Sequence, residues 1–278
     1  MRIGIIIFIF LLFISCGEKP SLLIMCGSAS QLPMTKIAGL YSQRKNIKVD
    51  LIYGGSGTLL SQISLTRKGD IYLPGSPDYI VKGVKQKIIL KGSVRKVAYL
   101  IPGIIVPKGN PGHIRNIFDL TNKDKKIGTG NPETVALGLY AVEFLERNDL
   151  LKVIPNITVF AASCSQTLNL VLMKKVDAVL AWRVCARWNK DRLQYIPLPP
   201  HRIPRISYIP VCIPVYARDE SLSRDFIEFL LSETGKNIYR EYGYIISLSE
   251  AREYAPRAKI GGECQLPAQY YQLLKNEK

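Results

Sequence analysis

Histidine is scarce in this 278-residue chain: only His113 and His201 occur, and neither lies in a recognisable nucleophile or metal motif. No Gly-x-Ser-x-Gly elbow, His-Glu-x-x-His helix or Walker loop is present. Gly54-Gly55-Ser56-Gly57 is too short to cradle a nucleotide phosphate and has no following Lys-Ser/Thr. The six cysteines, Cys16, Cys26, Cys164, Cys185, Cys212 and Cys264, include no two at metal-ligand spacing, and the sequence assigns no disulfide. Nothing positive therefore points to an enzyme, a cofactor or a metal centre. No segment is long and polar enough to read as disordered. No apolar run reaches the roughly 20 residues that a membrane-spanning helix needs. Blocks of Lys and Arg with interleaved aromatics are also missing, so nucleic acid is not expected as a partner.

The formal charge is nevertheless +16, from 38 Lys and Arg against 22 Asp and Glu. A field that draws in small anions and a generally basic proteome explain this balance equally well. The N-terminus is more informative. Arg2 precedes an apolar run from Ile3 to Ile14, then Ser15-Cys16-Gly17, the pattern of a secretory signal peptide over residues 1–15. Phe13-Ile14-Ser15-Cys16 resembles the bacterial lipobox, which implies a lipid-modified Cys16, a membrane anchor and an exported location. Phe13 stands where leucine is usual, and an ordinary signal cleaved nearby is the alternative.

From Ser21 onward, strand-like and helix-like segments alternate. Leu22 to Cys26 reads as a buried strand, and Met34, Ile37, Leu40 and Tyr41 recur at helical spacing. Val49, Leu51 and Tyr53 alternate like a strand, Leu59, Leu60 and Ile63 restart a helical period, and Asp70 to Leu73 is a further strand. The rhythm returns with strands at Lys126–Gly128, Ile157–Ala161 and Val176–Trp182, and helices after Pro132 and from Ser165 to Lys174. Such alternation predicts an α/β fold of parallel sheets covered on both faces. The extended stretches Ala98–Pro107 and Ile203–Ala217 read as crossings between two lobes. Small-residue loops stand where helices begin: Gly27-Ser28, Gly55-Ser56-Gly57, Thr134 to Gly138, and Ser163 to Ser165. Helix starts carry unpaired amides and a positive dipole end, so they hold anions without formal charge. One such loop is more often an ordinary capped helix start; four in one chain favour an anion site.

These loops, with Gln62-Ile63, Asp70-Ile71-Tyr72 and Val106-Pro107-Lys108-Gly109-Asn110-Pro111, resemble the molybdate-binding proteins of ABC importers. Asn131-Pro132-Glu133-Thr134-Val135-Ala136-Leu137-Gly138-Leu139-Tyr140-Ala141 is similar to that family's helix-start motif, Asp-Pro-x-x-Val-Pro-Ala-Gly-x-Tyr-Ala. The likeness covers Leu23 to Tyr244. It implies a two-lobed type II periplasmic-binding-protein fold with the ligand cleft between lobes. Lobe one would comprise residues 21–101 and 210–247, lobe two 102–209, and residues 248–278 a C-terminal extension. It further implies a receptor, partnered by ABC permease subunits, that binds molybdate or tungstate, with the lipid anchor coming from the lipobox resemblance at Cys16. Ser28 and Ser56 would offer hydroxyl and amide donors, Leu137 and Cys164 backbone amides, and Trp182 would replace the family's tyrosine. The related archaeal molybdate/tungstate-binding proteins add carboxylate ligands, but the matching positions here are Val135 and Ala181. The resemblance thus implies neutral donors around a tetrahedral dianion, with hydrogen phosphate disfavoured for want of an acceptor. A receptor for sulfate or another small solute, and a lipid-tethered interaction protein without ligand, are the alternatives.

Overall fold

The computed structural model describes residues 20–275, so the signal peptide and Cys16 lie outside the described residues. Apolar runs that alternate with amphipathic stretches place β1 (Ser21–Gly27), α1 (Gln31–Lys45), β2 (Lys48–Gly54), α2 (Ser56–Thr66), β3 (Ile71–Leu73) and α3 (Asp78–Lys85). Two extended segments follow, β4 (Arg95–Leu100) and β5 (Pro102–Pro107). The middle of the chain forms β6 (Ile127–Gly130), α4 (Ala136–Arg147), β7 (Ile157–Ala161), α5 (Cys164–Leu172), β8 (Ala178–Trp182), α6 (Arg183–Arg187) and β9 (Leu193–Pro197). The chain continues through β10 (Arg205–Val211), α7 (Glu220–Leu231), α8 (Glu233–Glu241), α9 (Leu248–Tyr254), β11 (Lys259–Ile260) and α10 (Ala268–Lys275).

The first sheet has the order β2-β1-β3 and is parallel, with Ser21 to Gly27 in register with Lys48 to Gly54. Its central strand carries Leu22, Ile24, Met25 and Cys26 fully buried, as the apolar run predicts. Met34, Ile37 and Tyr41 turn α1 onto this sheet, but Leu40 faces outward at 40% exposure, one position round the helix from the packed stripe. The second sheet, β7-β6-β8-β5-β9, departs from the parallel expectation. β6 runs parallel to β7 and β8, whereas β5 is antiparallel to both β8 and β9. β5 enters this sheet directly from β4, after Ile101 alone.

The two sheets form the lobes of an α/β, two-lobed fold, joined by β4 and β10. These pair antiparallel, with a register shift at Ile209/Pro210, where proline has no amide to give to the ladder. A bridge from Tyr72 to Cys212 carries the crossing onto β3. The C-terminal segment belongs to the body of the protein. β11 adds to β10, α10 packs on the short 3-10 turn Leu151–Asn156, and Ala251, Ala255, Ala258 and Tyr270 are buried in the second core.

One buried cation ties these parts together. Arg205, on β10, donates to Asp78 Oδ1 at 2.9 Å from the start of α3 and to Glu143 Oε2 at 2.7 Å on α4. It also donates to Gly262 O at 3.1 Å in the C-terminal segment, and its guanidinium stacks 3.9 Å above the Tyr140 ring. All three charged side chains are buried. Arg205→Ala strands two carboxylates in the interior and is expected to cost about 3–5 kcal/mol, read as a lowered denaturation midpoint.

Asp70 fastens the edge of the first sheet. Burial pushes its carboxyl up, but hydrogen bonds from the Arg218 guanidinium and amide and the Leu23 amide outweigh it, holding the pKa below the usual range. The stabilisation is therefore present above the unfolded carboxylate value of about 3.9 and lost as pH falls through the lower folded value. Asp70→Asn should lower stability at neutral pH and flatten its loss between neutrality and acid, as followed by urea titration across pH.

Candidate functional site

Four chain segments bring helix starts to one place between the lobes. β1 passes through the 3-10 turn Ser28–Ser30 into α1, and β2 passes through Gly55 into α2. From the other lobe, β6 leads through residues 131–135 into α4, and β7 leads into α5. The first turn of a helix has amides without intrahelical acceptors, and side chains normally cap them. Some starts follow this rule: Asp219 accepts from the Leu222 amide at the start of α7, and Ser232 from the Gly235 amide at α8, whereas α3 and α6 begin without a side-chain cap. In α5, Ser163 accepts from the Gln166 amide. Neither α2 nor α4 has a side-chain cap, and the starts of both line one cavity, together with Ser28 and Ala29 of the 3-10 turn that precedes α1.

That cavity measures about 10 Å³, close to the space of one water. Ser28, Ser56, Leu137, Cys164 and Trp182, the five residues singled out from sequence, all line it. Glycines and small apolar residues complete the wall, and no charged side chain reaches it. Ser28 Oγ accepts from the Cys164 amide at 2.9 Å and, longer, from the Ser165 amide at 3.4 Å. Ser56 Oγ accepts from the Gly75 amide at 2.9 Å. With lone pairs so occupied, each hydroxyl keeps its proton for donation. The Cys164 amide, by contrast, is directed at Ser28 and not at the cavity, which differs from the role its sequence position implied. Across the closed cleft, Ser28 is the acceptor within reach.

Trp182 ends β8, is 1% exposed, and meets Tyr140 edge-on at 5.1 Å between ring centroids. Tyr140 in turn lies under Arg205, so the indole is backed by the buried ion cluster. Sequence reasoning missed Gly75, which follows Pro74 after β3 and precedes Ser76. It also missed how closely the lobes approach. The Gly57 amide donates to Thr134 O at 2.7 Å, and a side-chain carbon at Gly55 would sit 2.7 Å from Ala162 O and 3.0 Å from Thr134 O.

Residues 22–245 match the sequence pattern of a family described as bacterial extracellular solute-binding protein. The chain belongs to this family. A relative in Bacillus subtilis, provisionally named the ABC transporter substrate-binding lipoprotein YvgL, is 24% identical over 82% of this chain and 87% of its own. Among solved structures, the periplasmic molybdate-binding protein of Azotobacter vinelandii superposes with a TM-score of 0.69 at 16% identity, covering 81% of this chain and 99% of its own. The sulfate-binding protein SubI of Mycobacterium tuberculosis superposes with a TM-score of 0.74 at 13% identity, covering 87% and 93%. At these identities the structural likeness establishes the two-lobed fold. Solute-binding proteins capture and do not transform, consistent with the lack of catalytic motifs. No helix among the described residues is long and apolar enough to cross a membrane.

At the cleft, glycines stand where the two lobes approach most closely. Gly55 has an ordinary extended backbone, φ −69° and ψ 142°, so a methyl there is unstrained except for the clash across the cleft. Gly55→Ala should hold the lobes apart without unfolding either, visible as an increased radius of gyration in small-angle scattering at unchanged circular dichroism.

Proposed function

We propose that this protein is the receptor of an ABC importer, anchored by lipid at Cys16, and that its cleft captures a tetrahedral oxyanion, molybdate or tungstate. The observation that carries the reading is the convergence of uncapped helix starts on a cavity without charged side chains. An anion completes the hydrogen bonds of such amides and meets their positive dipole ends. A carboxylate in the wall would repel a dianion, and none is there. Molybdate, tungstate and sulfate need only donors, whereas hydrogen phosphate needs an acceptor for its proton. The donor set would be the hydroxyls of Ser28 and Ser56 and the amides at the start of α4, Leu137 among them, with Trp182 closing one side. The Cys164 amide would join by exchanging Ser28 for the ion as the lobes part and reclose.

The domain plan follows the same reading. Residues 21–101 and 210–247 would move as one lobe and 102–209 as the other, about the β4–β10 pair. The closed shape would then be what ABC permease subunits recognise. The cavity's small volume favours a second candidate, sulfate, the smaller ion of the same charge and shape class.

Calorimetric titration with molybdate, tungstate, sulfate and phosphate under identical salt tests the proposal. Binding of molybdate or tungstate with weak sulfate supports the first reading, and the reverse order supports sulfate. Failure of all four ions to bind removes the oxyanion assignment. Each serine is expected to contribute a hydrogen bond to a charged partner, about 1.5–3 kcal/mol. Ser28→Ala with Ser56→Ala should therefore weaken binding by at least roughly a hundredfold, leaving the fold's circular dichroism unchanged.

A further inference from the structure

Cys164 and Cys185 come together where nothing in the sequence pairs them. Cys164 opens α5 at the cavity wall, and Cys185 lies within α6, three residues after Trp182. Both are buried, and their sulfurs stand 3.2 Å apart, 21 positions apart in the chain. That separation is about 1.2 Å longer than a disulfide bond, a gap that small side-chain rotations can close. The other buried thiols have different neighbours: Cys26 donates to Gly27 O and Cys212 to Tyr72 O. Cys264 is half-buried in the C-terminal segment beside its own chain's Gln265 O.

We propose that Cys164 and Cys185 are joined by a disulfide in the exported protein, bracing the wall of the cleft that carries Trp182. Proteins of an extracellular family meet disulfide-bearing oxidants, either thiol oxidases or small-molecule disulfides such as oxidised glutathione. The thiolate of one cysteine attacks a sulfur of the oxidant's disulfide, whose other sulfur leaves and takes up a proton. The second cysteine, deprotonated in turn, attacks the sulfur of the first and displaces the oxidant's remaining sulfur from the mixed disulfide. A sulfur–sulfur bond forms within the chain, and the oxidant's second thiol departs with a proton. Two protein thiols are oxidised and one external disulfide is reduced to two thiols, so atoms and electrons balance. Because both groups are inaccessible in the closed form, the exchange belongs to folding after export or to the open cleft. The crosslink closes a loop that includes β8 and disfavours the unfolded chain. It also fixes the start of α5, whose first amide meets Ser28, relative to α6.

The full chain, exported by a bacterial host, should be alkylated with iodoacetamide in denaturant without reduction, digested and mapped by mass spectrometry. The expected product is a linked pair of peptides carrying Cys164 and Cys185, with Cys26 and Cys212 recovered alkylated. The pair should separate into two alkylatable peptides on reduction. Recovery of Cys164 and Cys185 as free alkylated thiols, or of either one linked to a different cysteine, overturns the proposal.

Discussion

A helix that begins without a cap must find an acceptor for its first amides, and in this protein two such helices, α2 and α4, begin around the same small space. That constraint organises much else. Strands end at glycines so that the helices can start close together, and the wall between them is built from small side chains and two serines. A charged side chain in the wall would compete for the amides, and none lines it. The basic net charge adds a long-range positive field, although the local donors and not the total charge define the site.

Arg205 supplies the complementary constraint behind the cleft. A guanidinium has donors in a planar fork, and here they reach α3 on one side, α4 on the other, and the carbonyl of Gly262. The ring of Tyr140 separates this ion cluster from Trp182. The site therefore has an uncharged face toward the cavity and a charged, ion-paired layer two side chains deeper. Burying three charges is costly, and the arrangement persists because each has partners in ideal reach. The C-terminal segment closes this layer over, which accounts for its inclusion in the second core.

Much of the fold was legible because its local signals agree. Leu22 to Cys26, Ile157 to Ala161 and the helix after Pro132 combine apolar periodicity with glycine and proline at their ends, and each forms the predicted element. The loops holding Ser28, Ser56, Leu137 and Cys164 were legible because small residues recur at four strand-to-helix junctions, although any one of them alone reads as an ordinary helix start. Three things were not. The direction of β5 depends on how the chain crosses between lobes. The outward turn of Leu40 depends on which stripe of α1 meets the sheet. Gly75 belongs to the cavity only because β3 lies beside β1, and no local pattern records that neighbour.

By itself the sequence determined much of the strand and helix order from Ser21 to Trp182, the two-lobed class and the small-residue loops at helix starts, since periodicity and turn chemistry act within a few residues. Tertiary structure alone decided which groups meet. It set Ser28 against the Cys164 amide and Arg205 between Asp78 and Glu143, and it placed the sulfurs of Cys164 and Cys185 side by side. Contacts between segments distant in the chain arise from the packing of whole elements, and no single stretch of residues encodes them.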